Sequence, residues 1–121
     1  MTQRILVIED TEDNRAILSD LLSSAGYELI EAMDGLEGVA TAEREQPDLI
    51  LMDIQLPGID GYEATRRIRK IPALAKVPII AVTSYALSGD EAKTREAGCD
   101  GYVAKPYSPR QLLAKIREFL P

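Results

Sequence analysis

Five short hydrophobic runs divide the chain, and each is rich in β-branched or long aliphatic residues. They occupy residues 5–8, 29–30, 49–52, 79–82 and 102–104. Apolar runs of this length, bounded by polar turn residues, are typical of strands buried in a sheet. The pattern therefore predicts five β-strands.

The segments between these runs have helical periodicity. Two of them show apolar residues three to four positions apart, at Ile17, Leu18, Leu21, Leu22 and Ala25 and again at Leu112, Leu113, Ile116 and Leu120. This spacing places each set on one helix face, the face that ordinarily packs on the core. We predict a helix in every gap. The helix over residues 89–97 has the weakest pattern, since its few apolar residues are mostly alanine.

Helix boundaries carry their own signals. Capping-box spacing occurs twice, at Ser88 with Glu91 and at Ser108 with Gln111. Pro109 is at the first position of the last predicted helix, where the missing N–H of proline costs nothing. Helix ends or turns are also marked by glycines at positions 26, 35, 61, 89 and 98.

Strict alternation of strands and helices, with strands that are apolar throughout, indicates a parallel sheet covered by helices on both faces. The predicted fold class is therefore a doubly wound α/β fold. A chain of 121 residues is long enough for one such core and short for two, so we predict one domain over residues 1–121.

Composition narrows the possible partners and chemistry. With 14 basic and 20 acidic residues, the formal charge is -6, which argues against nucleic acid or an anionic membrane as partner. The sequence has no apolar run of about 20 residues and no signal-peptide pattern, so we expect a cytoplasmic protein. Its single cysteine, Cys99, is expected to pack as a small apolar residue. Because histidine is absent, carboxylates are the main candidates for chemistry.

Polar residues directly follow four of the predicted strands. In open α/β sheets, ligands bind beyond the carboxyl ends of the strands, which is where these residues lie. They are Glu9 and Asp10, then Asp53, then Thr83 and Ser84, and finally Lys105 with Pro106. Three acids at one edge repel each other, and one lysine offsets only part of that charge. Hard carboxylate oxygens favour Mg²⁺, so the sequence predicts a magnesium site.

These residues, in this order and at these intervals, resemble the receiver domain of bacterial two-component response regulators, the CheY-like superfamily. The runs DLILMDIQLPGIDG and GYVAKPYS carry the resemblance, which covers essentially the whole chain. Residues 48–57 and the run GDEAKTREAGC are similar to single-domain regulators of the DivK kind and to receivers of hybrid kinases. The resemblance implies a flavodoxin-like sheet with strand order 2-1-3-4-5.

The resemblance also implies a role for each residue at the site. Asp53 matches the aspartate that takes a phosphoryl group from a histidine kinase or phosphotransfer protein. Asp10 and Asp53 match direct Mg²⁺ ligands, the backbone carbonyl of Gln55 matches a third, and Glu9 matches a position that acts through a metal-bound water. Lys105 matches the cation that holds phosphoryl oxygens.

Two further residues match a conformational switch. Thr83 matches the hydroxyl that reaches the attached phosphoryl group, and Tyr102 matches the aromatic residue that turns inward with it. The surface from about residue 89 onward would present the change to a downstream target protein. Output would then be binding, onward transfer or a phosphate sink. Met1 directly ahead of the first strand favours a complete small protein over a fragment of a hybrid kinase.

Three other functions compete with this interpretation. A flavin binder needs a phosphate cradle after the first strand, whereas the loop here reads EDTEDN. An aspartate-nucleophile phosphatase would, by resemblance, carry Asp-x-Asp there, but Glu12 stands two residues after Asp10. The remaining alternative is a receiver-like module that binds protein without phosphate.

Overall fold

The computed structural model describes residues 2–84 and 90–121, and of Asp90 only the backbone. Strands and helices alternate along the chain. The strands are β1 (Arg4–Ile8), β2 (Glu28–Ala32), β3 (Leu49–Asp53), β4 (Ile79–Thr83) and β5 (Gly101–Ala104). The helices are α1 (Glu12–Ser24), α2 (Gly35–Glu45), α3 (Gly61–Arg69), α4 (Asp90–Ala97) and α5 (Pro109–Phe119). A 3-10 helix at Pro72–Leu74, which the sequence pattern did not predict, precedes β4.

The five strands form one parallel sheet in the order β2-β1-β3-β4-β5, which confirms the predicted fold class and strand order. Register aligns the carboxyl ends: Asp53 lies opposite Val82 and Thr83 lies opposite Ala104. The residues that follow the strands therefore meet at one edge of the sheet. In the described part of the chain, no helix is long and apolar enough to cross a membrane.

Two hydrophobic cores lie on opposite faces of the sheet because side chains alternate along each strand. Leu6 and Ile8 of β1 belong to the core shared with α2 and α3, where Cys99 is also buried as predicted. Ile5 and Val7 belong to the core shared with α1 and α5.

Two expectations about burial are wrong. Ile17 does not pack into the core, since the residue is 64% exposed, and the buried residues of α1 are Leu18 and Leu22. Strand β2 is not apolar throughout either. It runs from Glu28 to Ala32 with Glu28 and Glu31 exposed, since β2 is an edge strand of the sheet.

The predicted signals for helix boundaries are confirmed at the residues discussed below, which the structure describes. Ser108 and Gln111 form a complete capping box at α5, with Pro109 as the first helical residue. Gly26 and Gly98 follow helices with positive φ angles of 93° and 114°. The proposed cap of Ser88 on Glu91 and the turn at Gly89 lie outside the described residues.

Arg69, the last residue of α3, ties that helix to two other parts of the fold. Its guanidinium donates to the carbonyl oxygens of Leu74, Val77 and Gly98 at 3.1, 2.6 and 2.9 Å. It also pairs with Asp100 at 2.7 Å. The side chain therefore fixes α3 against the segment before β4 and the turn between α4 and β5.

Candidate functional site

Three carboxylates meet at the carboxyl edge of the sheet. Glu9, Asp10 and Asp53 each offer an oxygen that lies within 4.8 Å of the others. Glu9 and Asp53 are buried, with 3% and 5% of their surface exposed, whereas Asp10 is open to solvent. The structure thus brings together the three acids that the sequence predicted.

The backbone after β3 fixes the Asp53 carboxylate. The N–H of Ile54 continues the ladder by donating to the Val82 carbonyl oxygen at 3.0 Å, and the N–H of Gln55 donates to Asp53 Oδ1 at 3.0 Å. The chain then turns so that Gly61 N–H donates to the Ile54 carbonyl oxygen at 2.9 Å. Only glycine fits there, because a Cβ atom on residue 61 would overlap the Asp53 backbone.

Lys105 supplies the positive charge of this group. Its Nζ lies 3.3 Å from Asp53 Oδ2, and its side chain is one quarter exposed. The lysine is positioned by the sheet, since its N–H donates to the Thr83 carbonyl oxygen at 2.7 Å, and a cis peptide bond joins it to Pro106. This ammonium pairs with one of the three carboxylates and cannot offset the charge of all of them.

Glu9 is held by the first helix but is incompletely satisfied. Asn14 Nδ2 donates to Glu9 Oε1 at 2.6 Å, and Arg15 donates to the Glu9 backbone carbonyl at 2.8 Å. The second oxygen, Oε2, is buried and has no hydrogen-bond partner. Burial, followed by the adjacent Asp53 carboxylate, raises the pKa of Glu9 from the ordinary 4.5 to about 7.

The group fits a metal ion. A buried oxygen without a partner and a surplus of carboxylates are both relieved by a cation, and the available donors are hard oxygens of the kind that Mg²⁺ prefers. Glu9, Asp10 and Asp53 are therefore residues that could hold a divalent cation.

A cleft of about 490 Å³ opens beside the carboxylates, between α1 and the segment that follows β5. Its polar end is formed by Glu9, Asp53 and Lys105, together with Ser84. Its other walls are mostly apolar and comprise Val7, Ile8, Ile17, Leu18, Leu51, Val82, Pro106 and Tyr107. Asp53 lines this cleft, whose volume is within the range of ligand pockets in proteins.

The two predicted switch residues lie in different surroundings. Thr83 is fully buried at the end of β4, next to Ser84 at the cleft. Tyr102 is half-buried on β5 and borders a depression with Thr94 and Lys115. It is not among the residues that line the cleft. Thr83 does not line the cleft either, although its neighbours Val82 and Ser84 do. Thr83 ends the strand that pairs with β3, whereas Tyr102 lies one strand further from Asp53, on β5.

Several contacts at the site were not predicted from the sequence. Gln55, expected to contribute only its backbone carbonyl, also accepts a hydrogen bond on its side-chain oxygen from the Ser84 N–H at 3.2 Å. No local pattern indicates this contact. Asn14 could have been found, because it lies in the first turn of α1, which a short loop joins to Glu9. Tyr107 lines the cleft, and burial raises the pKa of its phenol.

Known proteins are similar to this chain in sequence and in fold. The family model described as "Response regulator receiver domain" matches residues 5–117. The polar-differentiation response regulator DivK of Brucella ovis is 41% identical over 99% of this chain and 98% of its own length.

Solved structures agree. The receiver domain of a sensor histidine kinase from Pseudomonas aeruginosa, with magnesium coordinated in its active-site cleft, superposes with a TM-score of 0.92. The two are 40% identical over 99% of this chain and 98% of that one. The chemotaxis protein CheY4 of Vibrio cholerae gives a TM-score of 0.94 at 27% identity, with 98% of this chain and 99% of that one covered. The chain belongs to the response regulator receiver family, the CheY-like signalling domains of two-component systems.

Proposed function

We propose that this chain acts as one receiver domain over residues 1–121 and accepts a phosphoryl group on Asp53. The donor is a phosphorylated histidine of a kinase or phosphotransfer protein. An Asp53 oxygen forms the new bond to phosphorus while the donor's phosphorus–nitrogen bond breaks, which leaves an acyl phosphate. The observation that carries the proposal is a buried carboxylate, fixed at Oδ1 by a backbone N–H and at Oδ2 by Lys105, at the polar end of an open cleft.

The cofactor in this proposal is Mg²⁺. Asp10, Asp53 and the Gln55 carbonyl would bind it directly and Glu9 through a water. When bound, magnesium offsets negative charge on the phosphoryl oxygens and on the carboxylates. The partnerless Glu9 Oε2 supports a role for that residue, because a metal-bound water could donate to it.

Lys105 and Thr83 complete the catalytic set. The ammonium of Lys105 already faces Asp53, so it is placed to stabilise a phosphoryl oxygen as charge develops. Thr83 ends the strand beside Asp53 and would donate its hydroxyl to the attached group. We propose that Thr83 moves toward the phosphoryl group and that this movement is transmitted to Tyr102. The surface formed by α4, β5 and α5 would then change, and a downstream target protein would bind the changed surface. A cytoplasmic location stays a prediction.

Phosphorylation by a small donor tests the function. With phosphoramidate and Mg²⁺, the protein should gain one hydroxylamine-labile phosphoryl group per chain, and none when the metal is chelated. Asp10→Ala should need at least about tenfold more Mg²⁺ for the same rate, because a direct ligand is lost. Asp13→Ala, a nearby acid outside the carboxylate group, is the matched control. A chain that gains no phosphoryl group under any condition would instead act as a phosphate-independent binding module.

A further inference from the structure

The side chain of Gln55 connects two loops at the carboxyl edge. Its backbone N–H is held by Asp53 Oδ1 at 3.0 Å, and its side-chain oxygen accepts from the Ser84 N–H at 3.2 Å. Ser84 directly follows Thr83 and lines the cleft that contains Asp53 and Lys105. Gln55 therefore joins the segment that holds the carboxylate to the end of β4.

Phosphorylation would bring a stronger acceptor to the same N–H. A phosphoryl group on Asp53 carries charged oxygens into the cleft, and hydrogen bonds to charged acceptors are about twice as strong as those between neutral groups. The amide oxygen of Gln55 is a neutral acceptor. The Ser84 N–H would therefore have one partner before phosphorylation and a competing, stronger one afterwards.

We propose that the Gln55 side chain is a positioning residue that holds the Thr83–Ser84 end of β4 in its unphosphorylated arrangement. The arrival of the phosphoryl group releases this contact by taking over the Ser84 N–H. The inference rests on the proposed acceptor role of Asp53. It adds that the Gln55 contact favours the resting state over the switched state. Removing a contact that forms in only one state shifts the population toward the other state.

Hydrogen exchange of the Ser84 amide tests the contact without any phosphate. In Gln55→Leu, whose side chain is of similar size but has no acceptor, we expect this amide to exchange about three- to tenfold faster by NMR. Gln55→Glu should slow it, since a carboxylate is a stronger acceptor. Gln3→Leu, the same chemical change at the opposite edge of the sheet, should leave it unchanged. Equal Ser84 exchange in wild type and Gln55→Leu would overturn the proposal.

Binding of beryllofluoride, a non-covalent mimic of a phosphoryl group on a carboxylate, tests the coupling. Gln55→Leu should bind it about threefold more tightly than wild type, because the competing acceptor has gone. Weaker binding would mean that Gln55 supports the site instead of restraining it, and would reject the inference. If wild type bound no beryllofluoride, the acceptor role would fail, while the exchange measurement would still decide the Gln55 contact.

Discussion

Glu9 and Asp53 are buried carboxylates at the carboxyl ends of neighbouring strands, but their oxygens are satisfied to different degrees. Asp53 has both oxygens occupied, one by the Gln55 N–H and one by Lys105. Glu9 has one oxygen bonded to Asn14 and the other buried without a partner. The ionised form of Glu9 is therefore the costly one, which is why its pKa rises.

The raised pKa of Glu9 predicts that the metal-free protein loses stability as pH increases. Between pH 4.5 and about 7 the folded state binds more protons at Glu9 than the unfolded chain does, so the free energy of unfolding falls across this interval. The loss should be on the order of 1 kcal/mol or more, since one pKa unit corresponds to about 1.4 kcal/mol. Urea unfolding at pH 5 and pH 8 with a chelator measures it.

Glu9→Gln is the variant that isolates this effect. Its unfolding free energy should change little between pH 5 and pH 8, because the amide does not ionise. Glu45 and Glu63 do not interfere, since arginine partners lower the pKa of each carboxyl and move its titration below this interval. A wild type whose stability rose over the interval, or a Glu9→Gln variant that lost as much stability as wild type, would contradict the account.

At the scale of elements, the sequence predicted most of the fold because each strand contains a short, separate apolar run. Parallel strands bring their carboxyl ends to one edge, so the acids of β1 and β3 and the lysine after β5 could be placed together from sequence alone. Ile17 was misplaced because helical spacing defines a face but not how much of that face the neighbouring elements cover. The Gln55–Ser84 contact depends on the path of two loops, which periodicity does not encode.

The contacts of Arg69 predict that substitutions of different arginines in α3 lower the free energy of unfolding by unequal amounts. Arg69→Met keeps an apolar stem but removes the donors to Leu74, Val77 and Gly98 and the ion pair with Asp100, whose carboxylate keeps the hydrogen bond from the Ile79 N–H. We expect it to lower the free energy of unfolding in urea by about 2–4 kcal/mol.

Arg66→Met serves as the control for that change on the same helix. Arg66 is half-exposed, and its pairing with Glu63 is a surface ion pair within α3, so its loss should cost about 0.5 kcal/mol or less. Equal effects of the two substitutions would show that Arg69 does not join the elements as its contacts indicate.

At the scale of the whole molecule, the fold is shared by proteins with different outputs. The two relatives near 40% identity are a response regulator and the receiver domain of a sensor kinase. The receiver domain of the sensor kinase shares the fold of this chain, with a TM-score of 0.92, and has magnesium in its active-site cleft. The central claim therefore concerns the edge itself: that Asp53, and no other acid of the group, takes the phosphoryl group.

Locating the modified residue tests that claim most directly. After phosphorylation with phosphoramidate and Mg²⁺, borohydride reduces an acyl phosphate to an alcohol, and peptide mass spectrometry then locates the change. We predict one reduced position, residue 53, and no reduction in Asp53→Asn, whose amide is similar in size but not a nucleophile. Reduction at Glu9 or Asp10 in wild type, or undiminished labelling of Asp53→Asn, would contradict the account.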